Sequence, residues 1–258
     1  MISLKTDREI RLMRKAGRIV ADVLDMISDM IRPGLSTGEI DSAAESLIKR
    51  SGGLPAFKGY RVPTIKRPFP SAVCASINSE IVHGIPSRER LLQEGDIISI
   101  DVGACYSGYY GDAAYTYPVG SVSPERRNLL SVTKQSLEDA ILAARAGNTL
   151  GDVGHAVEKR VAPHGYGIVR DYSGHGIGKR LHEPPQIPNY GEPGRGITLV
   201  AGMTLAIEPM VMAGAEEVFT GRDQWVVKTA DGSDAAHFEK SILVQDGDPE
   251  ILTPWVCA

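Results

Sequence analysis

Cysteine is scarce in this chain. Only Cys74, Cys105 and Cys257 occur in 258 residues, and none belongs to a CxxC pair. An odd, sparse set argues against a disulfide framework and fits a reducing compartment. Long apolar runs are also missing. No window reaches the length of a membrane span, and the opening MISLKTDREIRLMRKAG scatters charges where a signal peptide needs an apolar core. Asp7 and Glu9 argue against a transit peptide, so the expectation is a cytoplasmic protein with no membrane partner. Charge of one sign is not in excess either. The formal net charge is −4, with no Lys/Arg run and no charged tail. That removes any general attraction to nucleic acid or to anionic membranes.

What is present is an ordinary globular composition, 42% hydrophobic and 23% charged, in a chain long enough for one large core. A first helix is predicted over about Thr6–Ile31. Thr6 and Glu9 form a capping box, and Ile10, Met13, Gly17, Val20, Leu24, Ile27 and Ile31 recur at helical spacing. Pro33 and Gly34 stop it. A second helix, about Thr37–Lys49, starts at a Ser36/Glu39 box and ends at Ser51-Gly52-Gly53. Short strand signals follow at Ser71–Asn78, Ile81–Gly84, Ile97–Val102 and Tyr109–Val119. Ser123 and Pro124 open a third helix to about Arg145, and a fourth covers about Leu150–Ala162. Short strands return after that, around a Gly- and Pro-rich stretch from Pro184 to Gly196.

The chain also repeats itself. Arg32-Pro33-Gly34-Leu35-Ser36-Thr37-Gly38-Glu39-Ile40 aligns with Arg145-Ala146-Gly147-Asn148-Thr149-Leu150-Gly151-Asp152-Val153, each joining a long helix to a shorter one. Gly95–Asp101 then echoes Gly202–Glu208: a turn, an apolar strand, an acid. Two echoes in the same order predict two related halves, about 1–120 and 121–258, packed as a single domain about a pseudo-two-fold axis.

The acids sit in unusual places. Asp101 ends the run Ile97-Ile98-Ser99-Ile100, a poor environment for a charge. Asp112 lies across a hairpin-like turn, and the midpoint of the two falls between Tyr106 and Ser107. A hairpin centred there sets them opposite each other, which is destabilising unless a cation lies between them. Taken alone, Asp112 could instead cap a turn. Glu208 repeats Asp101 in the second half, and Glu239 would then be the mate of Asp112. His175 is flanked by glycines, which permit close approach of a ligand. Singly, His83, His175 and His182 read more simply as satisfied histidines. His237 should share the strand face of Glu239 and support it. Four carboxylates and one histidine suit hard or borderline divalent ions, namely manganese, iron, cobalt or zinc, and are too carboxylate-rich for a structural zinc site. Four negative charges match two such ions, which can share and activate a water.

These residues fall in motifs that together resemble the type I methionine aminopeptidases: Phe57-Lys58-Gly59-Tyr60, Cys74–Asn78, Val82-His83-Gly84-Ile85-Pro86, Gly95–Gly103, Gly108–Asp112, Ser173–Gly178, His182-Glu183-Pro184-Pro185, Leu205–Met210 and Ala236–Glu239. The match spans nearly the whole chain in family order. The resemblance implies an α+β pita-bread fold with two pseudo-symmetric halves around a central dinuclear metal site. It implies metal binding by Asp101, Asp112, His175, Glu208 and Glu239, with Asp112 and Glu239 bridging. A hydroxide shared by the two metals would attack the methionyl carbonyl. Glu208 would shuttle the proton, His182 would stabilise the oxyanion, and His83 would contact the scissile amide. Cys74 and Trp225 match methionine-pocket positions, helped by Tyr60 or Phe69, although Cys74 could be a small buried hydrophobe and Trp225 plain core. The implied substrate is the N-terminus of a nascent polypeptide with a small second residue. A monomer with transient ribosome association is expected from that role. Three departures stand out: Arg61–Pro70 is a longer, basic, Pro-rich link, expected as an exposed loop at the pocket rim; Leu181 replaces an aromatic; and Lys240 replaces a histidine.

Two competing readings carry different expectations. Proline-directed peptidases share fold and ligands but usually add an N-terminal domain, for which a helix starting near residue 6 leaves no room. Non-catalytic relatives that bind ribosomes, RNA or proteins should lose ligands and gain basic tails, and neither feature is seen.

Overall fold

The computed structural model describes residues 2–257. Its first half runs α1 (Asp7–Met30), α2 (Thr37–Arg50), β1 (Leu54–Pro55), β2 (Val73–Ile77), β3 (Glu80–Val82), β4 (Ile97–Tyr106) and β5 (Tyr109–Pro118). The second half opens with α3 (Pro124–Ala143) and α4 (Leu150–Val161), then β6 (Gly167–Ile168), β7 (Gly174–Gly176), β8 (Glu183–Ile187) and β9 (Thr204–Ile207). It closes with β10 (Met210–Met212), β11 (Val218–Thr220), β12 (Val227–Thr229), β13 (Ala235–His237), β14 (Lys240–Leu243) and β15 (Glu250–Ile251).

Local chemistry explains the helix starts. Thr6/Glu9, Ser36/Glu39 and Thr149/Asp152 all form complete capping boxes, satisfying N–H groups that have no intrahelical acceptor. Ser123 caps α3 ahead of Pro124. That helix stops at Ala143, two residues short of the expected Arg145. There the Ala144 N–H folds back to the Ile141 carbonyl and the chain leaves helical geometry.

The repeat in the sequence has a repeat in hydrogen bonding. Gly34 N–H donates to the Leu92 carbonyl at 2.8 Å, and Gly147 N–H donates to the Leu199 carbonyl at 2.9 Å. Gly95 N–H meets the Val119 carbonyl and Gly202 N–H the Val244 carbonyl, at 2.9 and 3.0 Å. All four glycines have φ between 85° and 93°, a region that side chains with a Cβ avoid. The same turns therefore deliver α1–α2 and α3–α4 onto their sheets.

In the first half, β1 and β2 pair with one edge of β4, and β5 pairs with the other. The second half has the order β15-β14-β9-β7-β8. Ala114 and Glu239 exchange backbone hydrogen bonds, joining β5 to the segment before β14. Ser241 strengthens the seam: its hydroxyl accepts from the Asp112 N–H at 3.1 Å and donates to the Asp112 carbonyl at 2.8 Å. Small sheets β13-β10-β6 and β11-β12-β3 flank the seam. The main core crosses it, taking Val20, Leu24 and Ile27 from α1, Ile98 and Ile100 from β4, and Leu137, Leu205 and Ile242 from the second half. Helix α1 lies closest at Gly17, where a Cβ would strike the Leu252 backbone.

The last residues hold the seam from behind. Thr253 Oγ1 accepts the Ser241 N–H at 2.9 Å, and Trp255 Nε1 donates to the Glu239 carbonyl at 3.0 Å. Lys240, the departure noted in sequence, lies with its ammonium 3.7 Å from the Trp255 ring centroid, a cation–π contact that histidine would not make in the same way. Trp255→Ala should therefore destabilise the protein by about 3–5 kcal/mol, as expected for emptying a buried aromatic site. Urea unfolding measures this; a change near zero would show that the tail does not brace the seam.

The structure corrects the hairpin register. The turn is centred between Ser107 and Gly108, so Asp101 pairs with Ala114 and Asp112 with Gly103. The aspartates are diagonal neighbours, not opposite partners. They still share one face, because the centre moved by one whole residue and the pairing sum by two.

Candidate metal and substrate site

The seam brings the predicted acids together. Asp101 projects from β4, Asp112 from β5 and His175 from β7. Glu208 follows the end of β9, and Glu239 lies between β13 and β14. The β9–β14 register, Ile207 with Lys240, sets Glu208 and Glu239 at the next opposing step. All five line one cavity of about 560 Å³, together with His83, His182, Cys74, Tyr60, Phe69, Leu181 and Trp225.

Burial dominates the electrostatics. It pushes the Asp101 carboxyl up to about 7. Asp112 is raised well above the usual range, first by burial and then by the charges of Glu239 and Asp101. Glu208 and Glu239 are raised for the same reasons, burial first and neighbouring carboxylates second. Among the described residues, no lysine or arginine lines the cavity to offset them. Asp101 Oδ1, Asp112 Oδ1 and Glu239 Oε1 are buried without a hydrogen-bond partner. Unpartnered buried carboxylate oxygens are costly, and a cation is the group that would satisfy them.

The histidine chemistry agrees. His175 Nδ1 lies 2.9 Å from the Gly176 carbonyl, which can only accept, so Nδ1 carries the proton and Nε2 keeps its lone pair. Nε2 lies 3.6 Å from Glu208 Oε1 and 4.0 Å from Asp112 Oδ2. Burial pushes His175 down to about 3, leaving the ring neutral, as ligation requires. Donor atoms of Asp112, His175 and Glu239 all lie within 4.8 Å of one another. These donors fit divalent metal: acid oxygens and one imidazole, mutually close, with lone pairs to spare. His237 lies beside them, Nε2 3.6 Å from Glu208 Oε2 and 4.0 Å from Glu239 Oε2.

An apolar pocket adjoins the acids. Phe57, Phe69, Cys74, Leu181 and Trp225 form one buried cluster, with Tyr60, Val62 and Ile65 packed on it. Phe69 and Trp225 meet edge to face at 5.2 Å. The link Arg61–Pro70 is only half as expected. Arg61, Lys66 and Arg67 are exposed, while Phe69 is buried and Val62 and Ile65 turn inward. Its alternation of basic and apolar residues splits between water and pocket. Leu181 takes its place in the pocket wall without an aromatic ring.

His83 and His182 stand over the cavity. His83 has φ 60° and packs edge-on against Tyr172, while burial pushes its imidazole down to about 4. The His182 ring lies 4.3 Å from that of His175, centroid to centroid. It is open to the cavity mouth, yet the surrounding walls desolvate it enough to lower its pKa. Two supporting residues had no sequence signal of their own. Buried Asn189, from the Gly- and Pro-rich stretch, donates to the Glu208 carbonyl at 3.0 Å. Ser241 clamps the Asp112 backbone.

A two-halved α+β fold closing on a buried, acid-rich, metal-type centre defines a metallopeptidase of the pita-bread class. The chain belongs to metallopeptidase family M24, whose family model matches residues 11–246. It is 50% identical over 253 residues to a methionine aminopeptidase of Clostridium acetobutylicum, covering 98% of this chain and 99% of that one. Identity to a methionine aminopeptidase 1 of Bacillus subtilis is 48%, with the same coverage. The crystal structure of the Thermotoga maritima methionine aminopeptidase superimposes with a TM-score of 0.94 at 46% identity, covering 98% of this chain and 99% of that chain. An Xaa-Pro dipeptidase from Bacillus anthracis shares the fold at a TM-score of 0.76 and 22% identity, with 99% of this chain covering 63% of that one.

Proposed function

We propose that this protein is a metal-dependent methionine aminopeptidase that hydrolytically removes the N-terminal initiator methionine from nascent proteins, preferring a small second residue. One observation carries the reading: an apolar pocket shaped by Cys74, Phe69, Leu181 and Trp225 opens directly onto the buried acids. Relatives of the same length and close identity support it.

In this reading Asp101, Asp112, His175, Glu208 and Glu239 would hold two divalent ions. When bound, the ions supply Lewis acidity at the scissile carbonyl and lower the pKa of the attacking water. The chain does the rest. The apolar pocket takes the unbranched thioether and excludes water from it. The carboxylates attract the free α-amine, which restricts attack to the first residue. Glu208 accepts the proton of the attacking water and passes it to the leaving amine. His182 donates to the oxygen that gains charge, and His83 donates to or accepts from the scissile amide. The halves 1–120 and 121–258 act as a single catalytic domain, since each supplies part of the ligand set. The native ions are drawn from cobalt, manganese, iron and zinc. We extend the proposal to a cytoplasmic monomer that meets nascent chains at the ribosome.

The experiment strips metal with a chelator, then assays a Met-Ala-Ser peptide before and after adding cobalt, manganese or iron. Methionine release should return with metal in the native protein and stay absent in Asp101→Ala. Folded protein that releases no methionine under any metal, but cleaves Xaa-Pro peptides, would replace the reading with a proline-directed one.

A further inference from the structure

One contact in the cavity mouth lies outside the ligand set and the roles already given. The Tyr60 hydroxyl is 2.7 Å from His182 Nδ1, and the two rings meet edge-on with centroids 5.3 Å apart. The Tyr60 backbone is held from both sides. Tyr60 N–H donates to the Phe57 carbonyl at 2.8 Å, and the Tyr60 carbonyl accepts from Phe69 N–H at 2.9 Å. Gly59 N–H returns to the Phe69 carbonyl at 2.8 Å, so residues 59–60 and 69 close the base of the loop. Across the loop, Trp225 Nε1 donates to the Arg67 carbonyl at 3.2 Å. The phenol therefore stands on a fixed backbone, and its hydroxyl meets His182 across the cavity mouth.

We infer that Tyr60 is a positioning residue for His182, its hydroxyl donating to Nδ1 so that the ring presents Nε2–H to the scissile carbonyl. The inference rests on the cavity being the hydrolytic centre. The chemistry has two arrangements to choose between. A neutral imidazole has one N–H and one lone pair. If Nδ1 accepts from the phenol, the proton sits on Nε2, where a developing oxyanion needs a donor. If Nδ1 donates instead, Nε2 offers a lone pair and repels that oxygen. A phenol is a far better donor than acceptor, and burial keeps the Tyr60 proton on its oxygen. The loop closed by Gly59, Tyr60 and Phe69 would thus set the tautomer of a residue that touches the substrate.

The chain has six histidines, few enough for direct observation by nitrogen NMR. In zinc-loaded protein carrying ¹⁵N-histidine, with His182 assigned by its loss in His182→Gln, Nδ1 should resonate as an unprotonated nitrogen and Nε2 as a protonated one. Tyr60→Phe keeps the ring in the pocket and removes only the donor; the tautomers should then mix. In the same variant kcat on Met-Ala-Ser should fall roughly tenfold, the size of one lost hydrogen bond, with KM within about twofold. A phosphonate analogue of methionine, which mimics the tetrahedral state, should bind roughly tenfold more weakly, while product methionine binds unchanged. A protonated Nδ1 in the native protein, or a Tyr60→Phe effect confined to KM, overturns the inference. Native protein that released no methionine would overturn the functional reading, and the nitrogen signals would still decide the state of the pair.

Discussion

Glu239→Gln should abolish methionine release. We expect kcat/KM on Met-Ala-Ser to fall roughly 10³-fold or more, about 4 kcal/mol of lost transition-state stabilisation. Bound metal per chain should fall with it. The substitution is nearly isosteric, and the backbone there is pinned by Ala114 on one side and Trp255 on the other. The variant should therefore fold. What it loses is the charge on a buried group with an unpartnered oxygen, one of those that would hold the metal. Metal analysis alongside the assay separates the possibilities. A variant with full metal and near-native turnover would remove Glu239 from the site.

The second large effect concerns the metal-free protein and pH. Between pH 6.5 and 8.5 its stability should fall, with Tm dropping by roughly 5 °C or more. The sign follows from the carboxyls. Asp101 is pushed up to about 7, and Asp112, Glu208 and Glu239 are raised well above their usual range, all chiefly by burial. A group whose folded pKa is raised binds more protons in the folded state. Its stabilising contribution is whole below the unfolded pKa and is lost as pH rises through the folded one. The buried histidines work in the opposite sense, and their effect fades only as pH rises past about 7.5, because the unfolded chain takes up protons that His83, His175, His182 and His237 refuse. From pH 6.5 upward the four raised carboxyls outweigh them. Saturating divalent metal should abolish the decline, because ligation stabilises the ionised carboxylates. Scanning calorimetry with and without chelator tests this. A flat or rising metal-free curve across the window would show that the acids are not desolvated as described.

Much of this molecule was legible before any coordinates. Capping boxes at Thr6 and Ser36 place helix starts because the chemistry is local: two residues three positions apart satisfy each other's backbone. Acids ending apolar runs, at Asp101 inside β4 and at Glu208 after β9, are conspicuous because a charge there needs a reason. The hairpin turn falls one residue later than the aspartate spacing predicts. Ser107 and Gly108, with φ of 49° and 83°, form the two-residue left-handed turn that matches strand twist, and that turn sets Tyr106 against Tyr109. Attention to the Ser-Gly pair would have found it; attention to the aspartates did not. The inward side of Arg61–Pro70 was not legible, because no periodicity says which of its apolar residues finds a pocket. Asn189 and the contact of Tyr60 with His182 were silent for a similar reason. Their partners, the Glu208 carbonyl and His182, are remote along the chain or reached only by a closed loop.

The amino-acid sequence by itself determined the helices, the two-fold repetition, the ordered motifs, and the residue types that would meet a metal. These follow from interactions spanning a few residues, or from composition at marked positions. Only the tertiary structure decided that Asp112 and Glu239 meet at a hydrogen-bonded seam, that the last residues brace it, and that a phenol reaches His182. Those contacts join segments far apart in the chain, and they form only when the common core of both halves closes and removes the acids from water.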